Sequence, residues 1–136
     1  MTVKQLSIFL ENRSGTLTKV LDILKETGVR IIASSIADTA EYGICRFICD
    51  DSARAFEVLK AAGVAVSISE VFAVELDDKP GSAADAIEIF ANEGISIAYL
   101  YSILMHGKAV LVFRTDNASA AERAISSHGL HCISLQ

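Results

Sequence analysis

The sequence predicts an α+β fold: two tandem ferredoxin-like β-α-β-β-α-β units with antiparallel sheets. Two observations predict it. The chain repeats at a spacing of 66 residues, so that Ser14-Gly15 returns as Pro80-Gly81, Gly28 as Gly94 and Gly63 as Gly129. Around each set the same order returns: an apolar run, a tight turn, an amphipathic helix, a glycine and a second apolar run. That period is too long for a solenoid repeat and fits a small domain. The expected domains are therefore residues 1–70 and 71–136.

In the first unit, Val3 to Leu10 sets Leu6, Ile8 and Leu10 against Ser7 and Phe9, a strand with one strongly apolar face. Glu11 to Gly15 is a loop. A helix over about Thr16–Thr27 follows, with Leu17, Val20, Leu21 and Leu24 on one stripe and Gly28 at its stop. Val29 to Ala37 reads as the second strand, Thr39 to Gly43 as a turn and Ile44 to Cys49 as the third strand. Asp50-Asp51-Ser52 offers an N-cap to a second helix, about Ala53–Ala62, that turns Phe56 and Leu59 inward. Gly63 ends it, and Val64 to Glu70 is the fourth strand.

The second unit repeats this. Val71 to Leu76 is a strand and Asp77 to Gly81 a turn. A helix over about Ser82–Asn92 turns Ala83, Ala86, Ile87 and Phe90 to one side, and Gly94 stops it. Ile95 to Ile103 and Lys108 to Arg114 are strands joined by His106-Gly107. Asp116 or Asn117 caps a helix over about Ala118–Ser127, and Leu130 to Leu135 closes the unit. A β-α-β-β-α-β unit places both helices on one face of its sheet. The central strands are apolar on the other face too: Ile44 and Ile48 oppose Cys45, Phe47 and Cys49, and Val110 and Val112 oppose Ala109, Leu111 and Phe113. That face is therefore expected to be covered, by sheets joined at their edges or stacked. No linker separates the halves at Ser69-Glu70-Val71.

Composition excludes several classes. The 136 residues are 51% hydrophobic with 7% aromatics and no tryptophan, which predicts an aliphatic core. Units this small bury a low fraction of their surface, so the apolar excess predicts a homodimer. Net charge is −5, with eight basic and nine acidic side chains in residues 1–70 and four and eight in residues 71–136. Neither half has the basic concentration of a nucleic-acid binder, and the strands lack the interleaved aromatics an RNA-binding sheet needs. No apolar run reaches membrane-spanning length. Thr2 to Gln5 passes straight into a strand, without the layout of a secretory leader. Three cysteines in apolar strands read as buried reduced thiols in a cytoplasmic protein.

The first strand, then Asn12-Arg13-Ser14-Gly15-Thr16-Leu17, a helix and Gly28-Val29-Arg30-Ile31 resemble the ACT family of small-molecule-sensing modules. Asp77-Asp78-Lys79-Pro80-Gly81-Ser82 and Gly94-Ile95-Ser96-Ile97 repeat the resemblance, and together the copies cover essentially the whole chain. The resemblance implies a stand-alone tandem ACT protein with no attached enzyme. It implies allosteric binding of an amino acid or similar metabolite where paired modules meet, between the first loop of one module and the start of strand two of another. Carried over by position, it points to Asn12, Ser14, Gly15 and Arg30, and to Asp78, Pro80, Gly81 and Ser96. The first copy departs from the pattern: Ser14 stands where proline is common, and Arg30 where an uncharged polar residue is common.

The residues themselves support two readings. A glycine loop opening a helix gathers N–H groups at a partial positive charge, which suits a carboxylate. Asn12 suits an amino-acid headgroup, Asp78 an ammonium group, and Arg30 a bidentate carboxylate. The same Asn12 and Asp78 can instead organise Asx-turns, with Gly15 and Gly81 satisfying the turn alone. Tyr99 and Tyr101 share a strand face with Ile97 and Ile103 and form either a ligand wall or an interface. Cys45 and Cys49 lie on one strand face about 13 Å apart, too far for one metal ion. No nucleophile–base set or dinucleotide fingerprint is present, so no catalysis and no cofactor are expected. The function expected is an amino-acid-binding regulator. The alternative is a ligand-independent module that regulates a metabolic enzyme in trans.

Overall fold

The structure, a computed structural model, describes residues 1–11, 13–38 and 42–135. The chain forms two compact units: one is residues 4–70 with Leu135, the other residues 71–134 with Met1–Val3.

The first unit contains β1 (Val3–Glu11), α1 (Thr16–Thr27), β2 (Ile31–Asp38), β3 (Tyr42–Cys49), α2 (Ser52–Ala61) and the first half of β4 (Ala65–Leu76). Its strand order is β2-β3-β1-β4. β3 runs antiparallel to both neighbours, with Leu6 opposite Phe47 and Ile36 opposite Cys45. Both helices pack on one face of this sheet. Leu6, Ile8, Cys45, Phe47 and Cys49 of the sheet meet Val20, Leu24, Ala55 and Leu59 of the helices in one core.

The second unit repeats the plan with the second half of β4, then α3 (Ser82–Asn92), β5 (Ile97–Met105), β6 (Lys108–Thr115), α4 (Ala118–Ser127) and β7 (His131–Cys132). The order is β5-β6-β4-β7, all antiparallel. Its core joins Phe72, Val74, Leu111 and Phe113 to Ala86, Phe90, Ala121, Ala124 and Ile125. Phe113 sits at its centre, with ring centroids 5.7 Å from Phe72 and 5.1 Å from Phe90.

Each unit therefore has the predicted β-α-β-β-α-β order, and the four helices fall where the periodicity places them. The differences are local. The expected strands Val64–Glu70 and Val71–Leu76 are one continuous strand, β4. No glycine, proline or turn residue lies between them to break it. The expected final strand shortens to His131–Cys132, although the N–H of Ile133 still donates to the Ala73 carbonyl at 2.9 Å. The turn expected at Thr39 to Gly43 lies partly outside the described residues. Leu21, read as inward, is 39% exposed, and Ile23 packs on the core instead. Ala83 is likewise exposed, with Ile89 on the core at the position equivalent to Ile23, whereas Leu17 and Ile87 pack on their cores at the positions where the other helix has exposed Ala83 and Leu21.

The second strand of each unit carries a bulge at the same place, between Ile31 and Ala33 and between Ile97 and Tyr99. The extra residue flips the face of everything before it. Ile97 therefore joins the helix-side core, and the single apolar face expected for Ile97, Tyr99, Tyr101 and Ile103 does not form. Tyr101 shares the face of Val112, and Ile103 that of Val110, on the side away from the helices. Val110 and Val112 are buried, as Leu111 and Phe113 are, so β6 is covered on both faces.

Candidate functional site

The loops that open α1 and α3 are near-identical. Gly15 has φ 89° and ψ −13°, and Gly81 has φ 89° and ψ −14°. This left-handed backbone is why both positions need glycine. Each glycine carbonyl accepts the first helical N–H bond, from Lys19 at 3.0 Å and from Asp85 at 2.9 Å. Upstream, the N–H of Arg13 donates to the Glu11 carbonyl at 2.8 Å, and that of Lys79 to the Asp77 carbonyl at 2.9 Å. The Thr16 hydroxyl lies 2.9 Å from the carbonyls of both Glu11 and Arg13 and ties the first loop to the helix.

The helix N-termini divide into two kinds. Asp51 caps α2 by accepting from the N–H of Arg54 at 3.1 Å, and Asn117 caps α4 by accepting from Ala120 at 3.0 Å. The N-cap positions of α1 and α3 are glycines, and no side chain among the described residues caps either helix. The N–H groups of Thr16 and Ser82 donate back to the carbonyls of Arg13 at 3.5 Å and Lys79 at 3.3 Å, so the first helix of each unit turns its partial positive charge and the N–H groups beyond these toward the loop. An ideal Cβ built on Gly15 or Gly81 meets nothing within 4 Å, so the approach to both is open.

Grooves flank the loops. About 340 Å³ lies beside the first, lined by Glu11, Arg13, Thr16, Lys19 and Tyr42. About 390 Å³ lies beside the second, lined by Asp77, Ser82, Asp85 and Lys108. These are equivalent places in the repeat with different charge. The first joins Arg13 and Lys19 to Glu11, while the second joins Asp77 and Asp85 to Lys108. The Lys108 ammonium hydrogen-bonds Asp77 at 2.8 Å, which holds the Asp77 carboxyl below its ordinary range and raises Lys108. A larger groove, about 770 Å³, lies beside α4 and β7 around Ile125, Leu130 and Cys132. It has no helix N-terminus in its lining.

Of the predicted site residues, Ser14, Gly15, Asp78, Pro80 and Gly81 lie exposed on these loops, and Asn12 lies outside the described residues. Arg30 and Ser96 lie elsewhere in their units. The N–H of Arg30 donates to the Asp50 carboxylate at 3.0 Å, while the Asp50 N–H donates back to the Arg30 carbonyl at 3.0 Å. Ser96 and Asp116 form the same clasp, at 3.1 and 3.2 Å. Ile31, next to Arg30, pairs with Cys49, whereas Glu11, next to the loop, pairs with Tyr42. Arg30 is thus about 24 Å along the sheet from the loop of its own unit. Sequence reasoning missed the Asp50 and Asp116 clasps, although the shared spacing of 20 residues from Arg30 and Ser96 marks them.

Cys45, Cys49 and Cys132 are free thiols. Burial pushes all three up, Cys49 to about 11 with help from the neighbouring Asp50 charge, so they are protonated and poorly nucleophilic at neutral pH. Among the described residues, no three His, Cys, Asp or Glu side chains converge on a metal position. No helix among them is long and apolar enough to cross a membrane.

Two ferredoxin-like units, each with a glycine loop opening its first helix, define a class of paired small modules. The comparisons make the class specific. The ACT domain pair family matches residues 1–135, and the chain belongs to that family. ACT domains are regulatory and binding modules, not catalytic ones. Protein BT0572 from Bacteroides thetaiotaomicron superposes with a TM-score of 0.93 at 34% identity, covering 98% of this chain and 92% of that one. The ligand-free regulatory subunit of aspartate kinase from Thermus thermophilus shares the fold at 18% identity, with a TM-score of 0.64 and 91% of each chain covered. The corresponding subunit from Thermus flavus gives 0.61 at 18% identity, over 91% of this chain and 90% of that one. A comparison with curated protein sequences finds no match.

Proposed function

We propose that this protein is a non-catalytic cytoplasmic sensor that binds a free amino acid at its glycine loops and regulates a metabolic enzyme. One observation supports the reading: in both units the helix behind the glycine loop has no side-chain cap among the described residues, while the other helix is capped by Asp51 or Asn117. The helix starts behind Gly15 and Gly81 receive the ligand carboxylate. Asn12, Ser14, Asp78 and Pro80 shape the loop around its headgroup, and Asp78 accepts from its ammonium. Arg30 and Ser96 lie far from the loop of their own unit. A ligand that touches both therefore takes the loop from one unit and the strand start from another, which calls for a homodimer with ligand at the junctions between units.

Thermal-shift screening against the twenty amino acids tests this. A ligand at 100 times its dissociation constant adds about 2.7 kcal/mol of apparent stability. Absence of any shift with amino acids and related metabolites at millimolar concentration refutes it. The second reading, ligand-independent docking on an enzyme, is favoured by Phe9 and Tyr42, diagonal neighbours across β1 and β3 that are 55% and 50% exposed. A stable enzyme complex indifferent to every metabolite decides for that reading.

A further inference from the structure

We propose that the groove beside α4 and β7 is a second ligand site, and that it takes a small aromatic acid. The site is separate from the glycine loops and does not depend on what those loops bind. The groove holds about 770 Å³, which falls within the roughly 300–1,000 Å³ of small-molecule sites. All of its lining belongs to the second unit.

The repeat supplies the template for the occupant. In the first unit Leu59 is buried, and Val64 and Val66 pack on the core. Their counterparts Ile125, Leu130 and Cys132 do the same in the second unit and form the floor of the groove. The apolar floor is thus kept in both copies. What lies beside it is not. Phe56 packs on the core of the first unit, and the Lys60 ammonium group lies 5.6 Å from the centre of its ring. The counterparts in α4 are Glu122 and Ser126, and both line the groove. The second unit therefore keeps the floor against which an aromatic ring packs and carries no ring at that position. A ligand ring restores the arrangement of the first unit and removes the floor from water.

Charge selects an acid. Arg123 lies exposed in the lining and makes no ion pair among the described residues. Glu122, the one acidic side chain of the lining, is paired with the Met1 ammonium group. A carboxylate carried by the ring meets a cation there and no unpaired negative charge, although residues 71–136 hold eight acidic side chains against four basic ones.

Indole-3-acetate is the probe, with indole-3-ethanol as its uncharged counterpart. Amide NMR of the labelled full chain should show saturable shifts at Ile125, Ser126, Leu130 and Cys132 and none at Gly15 or Gly81. Glu122→Phe puts back the aromatic residue of the first unit, so it should raise the denaturation midpoint and abolish those shifts. Arg123→Gln changes an exposed side chain and should leave the fold intact. It should weaken indole-3-acetate about threefold to fivefold, a loss that fades at high salt, and leave indole-3-ethanol unchanged. Silence around the groove with both probes at millimolar concentration overturns the site, as does undiminished binding by a folded Glu122→Phe chain. Equal affinity of the wild type and Arg123→Gln for indole-3-acetate overturns the acid. If Glu122→Phe fails to fold, the shift map and Arg123→Gln decide. Amino-acid binding is judged at the glycine loops alone, so either reading can fail without the other.

Discussion

Replacing Gly15 or Gly81 by alanine isolates the backbone that makes the loops. Both glycines have φ 89°, and a Cβ at either meets no atom within 4 Å, so the substitution creates no clash. The cost is conformational alone. A left-handed alanine costs about 1–2 kcal/mol, and reduced freedom in the unfolded chain returns roughly 0.4–1 kcal/mol. Each variant should therefore lose about 1 kcal/mol, equivalent to roughly 4 °C in Tm at this chain length. Gly43 is the internal control. It has no positive φ, and its added Cβ would lie 3.9 Å from the Ala37 carbonyl oxygen, an ordinary contact. Gly43→Ala should be neutral or stabilising by up to about 1 kcal/mol. Urea denaturation of the three variants checks this. A cost-free Gly15→Ala or Gly81→Ala, a difference between them above about 1 kcal/mol, or an equal loss at Gly43 would refute the reasoning.

Three further outcomes are expected. Asp51→Ala and Asn117→Ala each remove a helix cap and should cost about 1 kcal/mol by denaturant unfolding, roughly additively because they lie in different units. Phe113→Ala removes the ring at the centre of the Phe72–Phe90 cluster and should cost about 3–5 kcal/mol, read as a lowered denaturation midpoint. Cys49 is raised from 9.0 to about 11 in the fold, so the unfolded chain ionises it first. Its contribution to stability is present below pH 9 and is lost as pH rises toward about 11. Cys49→Ala should flatten that part of the pH–stability curve.

Much of the fold is legible in the sequence because the signals are local and written twice. The left-handed glycines at 15 and 81, the helix stops at 28 and 94, and the caps at 51 and 117 are short-range devices tied to residue type. Sequence and structure part where pairing decides. A bulge is invisible to period-two reading, which therefore places Ile97 on the face of Tyr99. The repeat suggests a seam at Glu70 that no breaking residue marks, and β4 runs through it. Leu21 and Ala83 sit at the margin of a helical stripe, where neighbouring elements decide burial. The loop half of the candidate site can be read from its glycines. The clasp of Arg30 by Asp50 and of Ser96 by Asp116 depends on tertiary pairing across 20 residues, which in the sequence is marked only by the return of that spacing in the second copy.

The central claim is that the helix starts behind Gly15 and Gly81 receive an amino-acid carboxylate. Amide NMR of the labelled chain, titrated with the amino acid that gives the largest thermal shift, tests it most directly. The account predicts saturable shifts at Gly15, Thr16 and Leu17 or at Gly81, Ser82 and Ala83, with the capped starts at Arg54 and Ala120 unmoved. Shifts confined to α2, α4 or the groove around Cys132, with both glycine loops silent, would contradict it.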